Sequence, residues 1–188
     1  MSRQFGFERG TSIDRVYIER FLNRYRDLIT GDCIEIAEDT YTRKFGTNVD
    51  NSYIMHVTGE NDAIKGNLVT GEGIQEGIAD CAIITQTLSF LDNPNKAVLN
   101  LYKLLKKDGN ALITVGGISP LSVYDSDRWG HFIGFYRQGL EALFASECMD
   151  CDITIETYGN VKMAMGFLYG MCAEDYKEED FEKMDEMY

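Results

Sequence analysis

The sequence predicts an α/β protein with a mostly parallel central sheet and helices on both faces. Three observations lead there. After residue 30, strand-like runs alternate with amphipathic stretches, an order that implies right-handed crossovers and parallel neighbours. The runs CAIITQT (81–87) and ALITV (111–115) are almost continuously apolar and β-branched, as in strands covered on both faces. A chain of 188 residues, 44% hydrophobic and 26% charged, is sufficient for one domain with a full core.

The first element is a helix over 11–29. Ile13, Tyr17, Phe21 and Leu28 form one stripe, with Ile18, Leu22, Tyr25 and Ile29 beside it. Thr11 followed by Asp14 reads as a capping box, and Gly31 as the stop. Residues 33–36 form the first strand, which carries the acid Glu35. Residues 52–57 and the short 63–68 are the second and third strands, and 81–87 the fourth. Asp92 or Asn93 caps the next helix, with Pro94 in its first turn. Ala97, Val98, Leu101, Leu104 and Leu105 line its inner face. Lys103, Lys106 and Lys107 suit its C-terminal dipole, and Gly109 ends it. Residues 111–115 are the fifth strand, and 118–136 are irregular and aromatic. A helix follows over 138–147. Residues 152–158 alternate as a sixth strand, and 161–173 form an apolar helix.

The net charge of −13 argues against nucleic acid as a partner, because phosphate contact needs a basic face. No apolar run approaches the ~20 residues of a membrane span. The opening MSRQFGFERG has no apolar core of a signal sequence. The expectation is a cytoplasmic protein with no membrane partner. Residues 173–188 hold eight acids and two lysines, the composition of a solvated end segment. Of the five cysteines, Cys33, Cys81 and Cys172 sit in apolar runs as small buried hydrophobes. Cys148 and Cys151 form a lone CxxC with no second pair, too few ligands for zinc. No metal is expected.

Four stretches carry a resemblance. They are FGFERGTSIDRVYIERFL (5–22), EIAEDTYTRKFG (35–46), DCAIITQTLSFL (80–91) and LYKLLKKDGNALITVGGISPLSVYDSDRWG (101–130). Together they resemble the class I S-adenosylmethionine-dependent methyltransferases, most nearly a bacterial branch associated with polysaccharide and glycan biosynthesis. The resemblance runs from about residue 5 to 173. It implies a Rossmann-like methyltransferase fold in a single domain spanning 1–188, with an N-terminal helical cap over 1–30. Such folds usually end on an antiparallel strand between the fifth and sixth, and no strand-length apolar run follows residue 173. A missing inner strand leaves an open sheet edge, and with it the option of a homodimer or a partner protein paired there.

The resemblance also implies S-adenosylmethionine as cofactor. Carried over position by position, Glu35 is the acid that orients the turn after the first strand. The glycines of that turn fall at Ala37 and Asp39. The acid for the ribose hydroxyls falls at Tyr53, and the acid near adenine at Asn67. Thr85, Gln86 and Thr87 pass beside the methionine portion. Alanine at 37 costs about 1 kcal/mol or more if its φ is positive. A tyrosine cannot offer a diol the acceptors of a carboxylate, and a lost charged hydrogen bond weakens binding roughly 10- to 100-fold. The degenerate motif therefore predicts weak cofactor binding or its loss.

Methyl transfer is an in-line displacement that needs orientation and, for a hydroxyl acceptor, a base. His131 and Asp125 are the candidates for that chemistry. Trp129 is the candidate for stacking on a sugar, and Arg9, Asp14 and Tyr17 are candidates for the acceptor pocket. Two functions stand open. One is a methyltransferase acting on a small molecule or sugar/glycan precursor. The other is a catalytically inactive methyltransferase-like module that binds protein.

Overall fold

The computed structural model describes residues 2–148 and 150–185. Strands β1 (Gly31–Ile36), β2 (Val49–His56), β3 (Ile64–Lys65), β4 (Ala79–Thr85) and β5 (Leu105–Thr114) form one sheet in the order β3-β2-β1-β4-β5. All of these pairings are parallel. The helices are α1 (Ile13–Arg24), α2 (Thr40–Phe45), α3 (Pro94–Leu104), α4 (Val123–Ser126), α5 (Arg137–Glu147), α6 (Val161–Leu168) and α7 (Glu178–Glu182). The α/β class, the parallel sheet and the two helical layers expected from the sequence are present.

Alternation along the strands sorts the core into two layers. Ile34, Ala82 and Ile84 pack with Val98, Leu101, Leu104 and Leu143, beneath α3 and α5. Cys33, Cys81 and Ile83 pack with Ile18, Leu22, Tyr41 and Phe45, beneath α1 and α2. Both sheet faces are thus covered, which is why β4 reads as a continuous apolar run. Ile34, Ile83 and Ile84 are fully buried, each contributing about 1.5–3 kcal/mol.

Several boundaries differ from the sequence reading, each for a local reason. The first helix shortens to α1 plus a 3-10 turn at Arg26–Leu28. Its N-cap is Ser12, while Thr11 is held by Glu174, its Oγ1 donating at 2.8 Å. The third strand contracts to Ile64–Lys65. α3 keeps Asn93 as its cap, the side chain accepting from the Lys96 N–H at 3.1 Å. It ends at Leu104, so Lys106, Lys107 and Gly109 belong to β5 and not to a helix terminus. Lys106 is drawn there by two carboxylates, its Nζ 2.7 Å from both Asp32 and Asp80. Pairing jumps from Ala79 opposite Leu105 to Cys81 opposite Asn110, so the residues between bulge out. The helix expected over 161–173 stops at Leu168, where Gly170 turns left-handed at φ +68°.

Residues 152–158 belong to no strand among the described residues. Their alternation needs a paired neighbour. Instead they are tied towards α1, where Glu156 accepts from the hydroxyls of Tyr25 (2.7 Å) and Tyr158 (2.6 Å) and pairs with Arg24 (3.3 Å). Among the described residues the sheet ends at β5.

The acidic C-terminal stretch is not a freely solvated tail. Residues 173–185 fold back on α1 and α6. Phe181 is 3% exposed and packs with Ile13, Met163 and Phe167. Arg20 pairs with Glu178 and Glu182, and Lys162 with Asp180 at 2.7 Å. Residues 186–188 lie outside the described residues.

Candidate functional site

Because the strands are parallel, the carboxyl ends of β1, β2, β4 and β5 share one edge of the sheet, where ligands of open α/β sheets bind. Ile36 pairs with Met55, and Glu35 with Ile83, so the tips of β1, β2 and β4 are adjacent. The first residue beyond β1 is Ala37, with φ +68°, and beyond β4 Gln86, with φ +51°. Both are non-glycine residues in the left-handed region, a local cost of roughly 1–2 kcal/mol each. Hydrogen bonds hold both: Ala37 N–H donates to the Met55 carbonyl at 3.0 Å, and Gln86 N–H to the Thr114 carbonyl at 2.8 Å. A Cβ on Gly116 would meet Gln86 Oε1 at 3.4 Å and Ser119 Cβ at 3.3 Å, so the missing side chain leaves Gln86 its place.

Glu35 shares a sheet face with Cys33 and is 1% exposed. Its carboxylate accepts from the N–H groups of Tyr41 (3.2 Å) and Thr42 (2.8 Å) and from the Thr42 hydroxyl (3.0 Å). It therefore holds the N-terminus of α2 and fixes the bend at 37–39. Burial pushes its carboxyl pKa up, and those hydrogen bonds oppose the shift. It is a positioning residue, turned into the protein.

The other cofactor candidates separate. Tyr53 pairs with Ile34 in mid-strand, and β2 runs on to His56. The residue at the β2 tip is therefore His56, with its ring against Trp129. The Asn67 side-chain oxygen accepts from the N–H groups of Val69 (2.8 Å) and Thr70 (3.0 Å), a local turn that occupies it. Thr85 ends β4 and lies beside Gln86 at the crevice. The Thr87 hydroxyl donates to the Thr85 carbonyl at 3.0 Å. The sequence reading ends this strand at residue 57, within one residue of the observed end, whereas the carry-over of the ribose acid to Tyr53 falls three residues short of the tip.

Residues 118–136 leave β5 and return across the other tips. Phe135 N–H donates to the Gly116 carbonyl, and Phe132 N–H to the Ser89 carbonyl at 2.8 Å. His131 packs on Phe90 at 4.9 Å, and Trp129 stands edge-on to His56 at 5.7 Å. The loop therefore touches the segments that follow β5 and β4 and the end of β2. Ser122 brings Asp125 and His131 together: its hydroxyl donates to Asp125 Oδ2 at 2.6 Å, and its N–H to His131 Nδ1 at 3.3 Å. With Nδ1 accepting, the neutral ring carries its proton on Nε2. His131 as held here is a donor, which leaves Asp125 as the carboxylate of the pair.

The N-terminal candidates do not form one cluster. Arg9 pairs with Asp175 at 2.8 Å and pins the N-terminal segment to the C-terminal one. Asp14 accepts from the Arg15 N–H at 2.9 Å. Tyr17 packs on Phe181 and Tyr158, and its hydroxyl is buried without a hydrogen-bond partner among the described residues. Burial pushes its pKa up to about 12. Asp14 and Tyr17 line a groove of about 1360 Å³ that runs along the outer edge of β5, with residues 150–160 on its far side. Gln86 and residues 116–119 lie at one end, so the groove reaches the crevice. Among the described residues no three His, Cys, Asp or Glu side chains are grouped to hold a metal, and no helix is long and apolar enough to cross a membrane.

No protein-family model matches the chain, and no curated protein matches it. Solved structures do. A SAM-dependent methyltransferase from Archaeoglobus fulgidus superposes with a TM-score of 0.53 at 13% identity, over 79% of this chain and 75% of that one. The N-methyltransferase NodS from Bradyrhizobium japonicum WM9, in complex with S-adenosyl-L-homocysteine, gives 0.52 at 15% identity over 82% and 84%. The YcgJ protein from Bacillus subtilis gives 0.53 at 12% identity over 85% and 80%. The fold is thus Rossmann-like, of the kind found in S-adenosylmethionine-dependent methyltransferases.

Proposed function

We propose that the chain is an S-adenosylmethionine-dependent methyltransferase, acting in the cytoplasm on a small molecule or sugar/glycan precursor. The observation that supports this reading best is the edge formed by the adjoining tips of β1, β2 and β4, which loop 118–136 crosses. Two strained turns, at Ala37 and Gln86, face it within a fold shared with methyltransferases. The residues present fit a nucleoside-bearing donor. Ala37 and Glu38 are exposed there, the Ala37 N–H being already given to Met55, and the Gln86 amide, the Thr85 hydroxyl and the His56 ring are hydrogen-bonding groups nearby. S-adenosylmethionine, when bound, supplies an already activated methyl group.

The chain's own residues have three tasks. Glu35 fixes the bend that supports the donor. Loop 118–136 excludes water from above. The groove admits the acceptor past Asp14 and Tyr17, and Trp129 offers it a ring face. Asp125 is the carboxylate placed to hold a proton from a hydroxyl acceptor, while His131 donates through Nε2. Isothermal titration with S-adenosyl-L-homocysteine tests the reading. Micromolar binding, about −8 kcal/mol, is expected. No heat at millimolar ligand contradicts it.

One observation favours a second reading. The outer edge of β5 has no partner strand among the described residues, and the groove lies along it. A catalytically inactive module would use this edge to pair with a second copy or another protein, because unpaired strand edges are templates for addition. Sedimentation velocity across a wide concentration range tests the homodimer. A monomer throughout rules it out.

A further inference from the structure

Two strand-length backbones border the groove, and neither has a partner there. β5 pairs with β4 alone. The Thr114 carbonyl turns to the β4 side, where it accepts from the Gln86 N–H. Alternation along the strand then turns the backbone groups of Ala111 and Ile113 outward. On the far side, no backbone N–H or carbonyl of residues 152–158 makes a hydrogen bond among the described residues. Ile155, Glu156, Thr157 and Tyr158 are half-buried, a setting in which backbone polar groups are ordinarily paired. Tyr17 lines the same groove, and its hydroxyl is a buried polar atom without a partner among the described residues. Three sets of unmet hydrogen-bonding groups thus border one space of about 1360 Å³.

We infer that the groove is a slot for one extended strand of a partner polypeptide, hydrogen-bonded to β5 on one side and to residues 152–158 on the other. This rests on the open β5 edge described above and holds whether or not the methyl donor binds. Pairing on both sides distinguishes insertion from simple addition to an edge. It also gives 152–158 the neighbour that their alternation lacks. Ile18 and Phe21 of α1 line the groove from one face of the sheet, and Leu140 and Phe144 of α5 from the other. The partner's strand is therefore apolar on both faces, as buried strands are. A second copy has no such strand to spare. Its apolar strands are already in its own sheet, and its 152–158 segment carries Asp152 and Glu156, the latter held by Tyr25 and Tyr158. Residues 116–119 lie past the end of β5, and with the slot filled an acceptor enters at that end.

Residue-resolved hydrogen–deuterium exchange on the full chain tests this. The probe is a synthetic peptide of valine, isoleucine and threonine flanked by lysines. A twin peptide with a central proline, which breaks the ladder, is the control. The probe is expected to slow exchange at Ala111 and Ile113 and at 152–158 together, and the twin at neither. Slowing at Ala111 and Ile113 alone means addition to an edge and overturns the slot, as does slowing at neither segment or equal slowing by the twin. Slowing of both segments in the unmixed chain as its concentration rises makes a second copy the occupant and overturns the partner. Slow exchange at Ala111 and Ile113 in the dilute chain alone overturns the open edge itself. Calorimetry with S-adenosyl-L-homocysteine on the same preparation reads the donor site separately, so either reading can fail while the other stands.

Discussion

Ala37→Gly isolates the strain at the crevice. Ala37 holds φ +68° and is exposed, so its methyl group packs little and its removal leaves no cavity. A non-glycine residue in the left-handed region costs about 1–2 kcal/mol. Glycine gives back about 0.4–1 kcal/mol of that through greater freedom of the unfolded chain. The net expectation is stabilisation by about 0.5–1 kcal/mol, a rise in Tm of about 1–4 °C for a chain of this size. Urea denaturation of both proteins at equal m-value measures it. Ala37→Val serves as the opposite control, since a β-branched residue tolerates φ > 0 less well, and it is expected to destabilise. A glycine variant less stable than the parent refutes the left-handed turn.

Three further outcomes follow from the packing. Glu35→Ala strands the N–H groups of Tyr41 and Thr42 in a buried setting and is expected to cost about 2–4 kcal/mol by urea denaturation; a loss below 0.5 kcal/mol denies its positioning role. Phe181→Ala, at a side chain 3% exposed, is expected to cost about 3 kcal/mol, whereas a solvated tail predicts no change. Lys106 holds the carboxyls of Asp32 and Asp80 below their ordinary range by hydrogen bonding. Their depressed folded-state pKa values give stability that is complete above the ordinary aspartate pKa and lost as pH falls through the lower, folded values. Thermal melts of Lys106→Met are therefore expected below the parent at neutral pH, with the gap closing on acidification. A gap constant with pH contradicts the pairing.

What was legible in the sequence is what burial dictates locally. The β4 run is apolar because both faces are covered, and α3 announces itself through Asn93, Pro94 and its inner stripe. The misplaced features depend on partners far along the chain. Lys106 looked like a helix-end charge because Asp32 and Asp80 are distant in sequence. The acidic end looked solvated because Arg20 and Lys162 neutralise it only in the fold. The strand end at residue 57 was legible, but the ribose position was carried over to Tyr53 because register with β1 carries no local signature, and that offset passed over His56. Residues 152–158 have the alternation of a strand but no described neighbour to pair with, and pairing makes a strand.

Hydrogen–deuterium exchange with S-adenosyl-L-homocysteine tests the location of the donor site most directly. The account predicts slowed exchange at residues 37–42, 56–58 and 86–90, with β5's outer edge unchanged. Protection confined to 105–115 and 150–160 contradicts it and places the ligand in the groove instead.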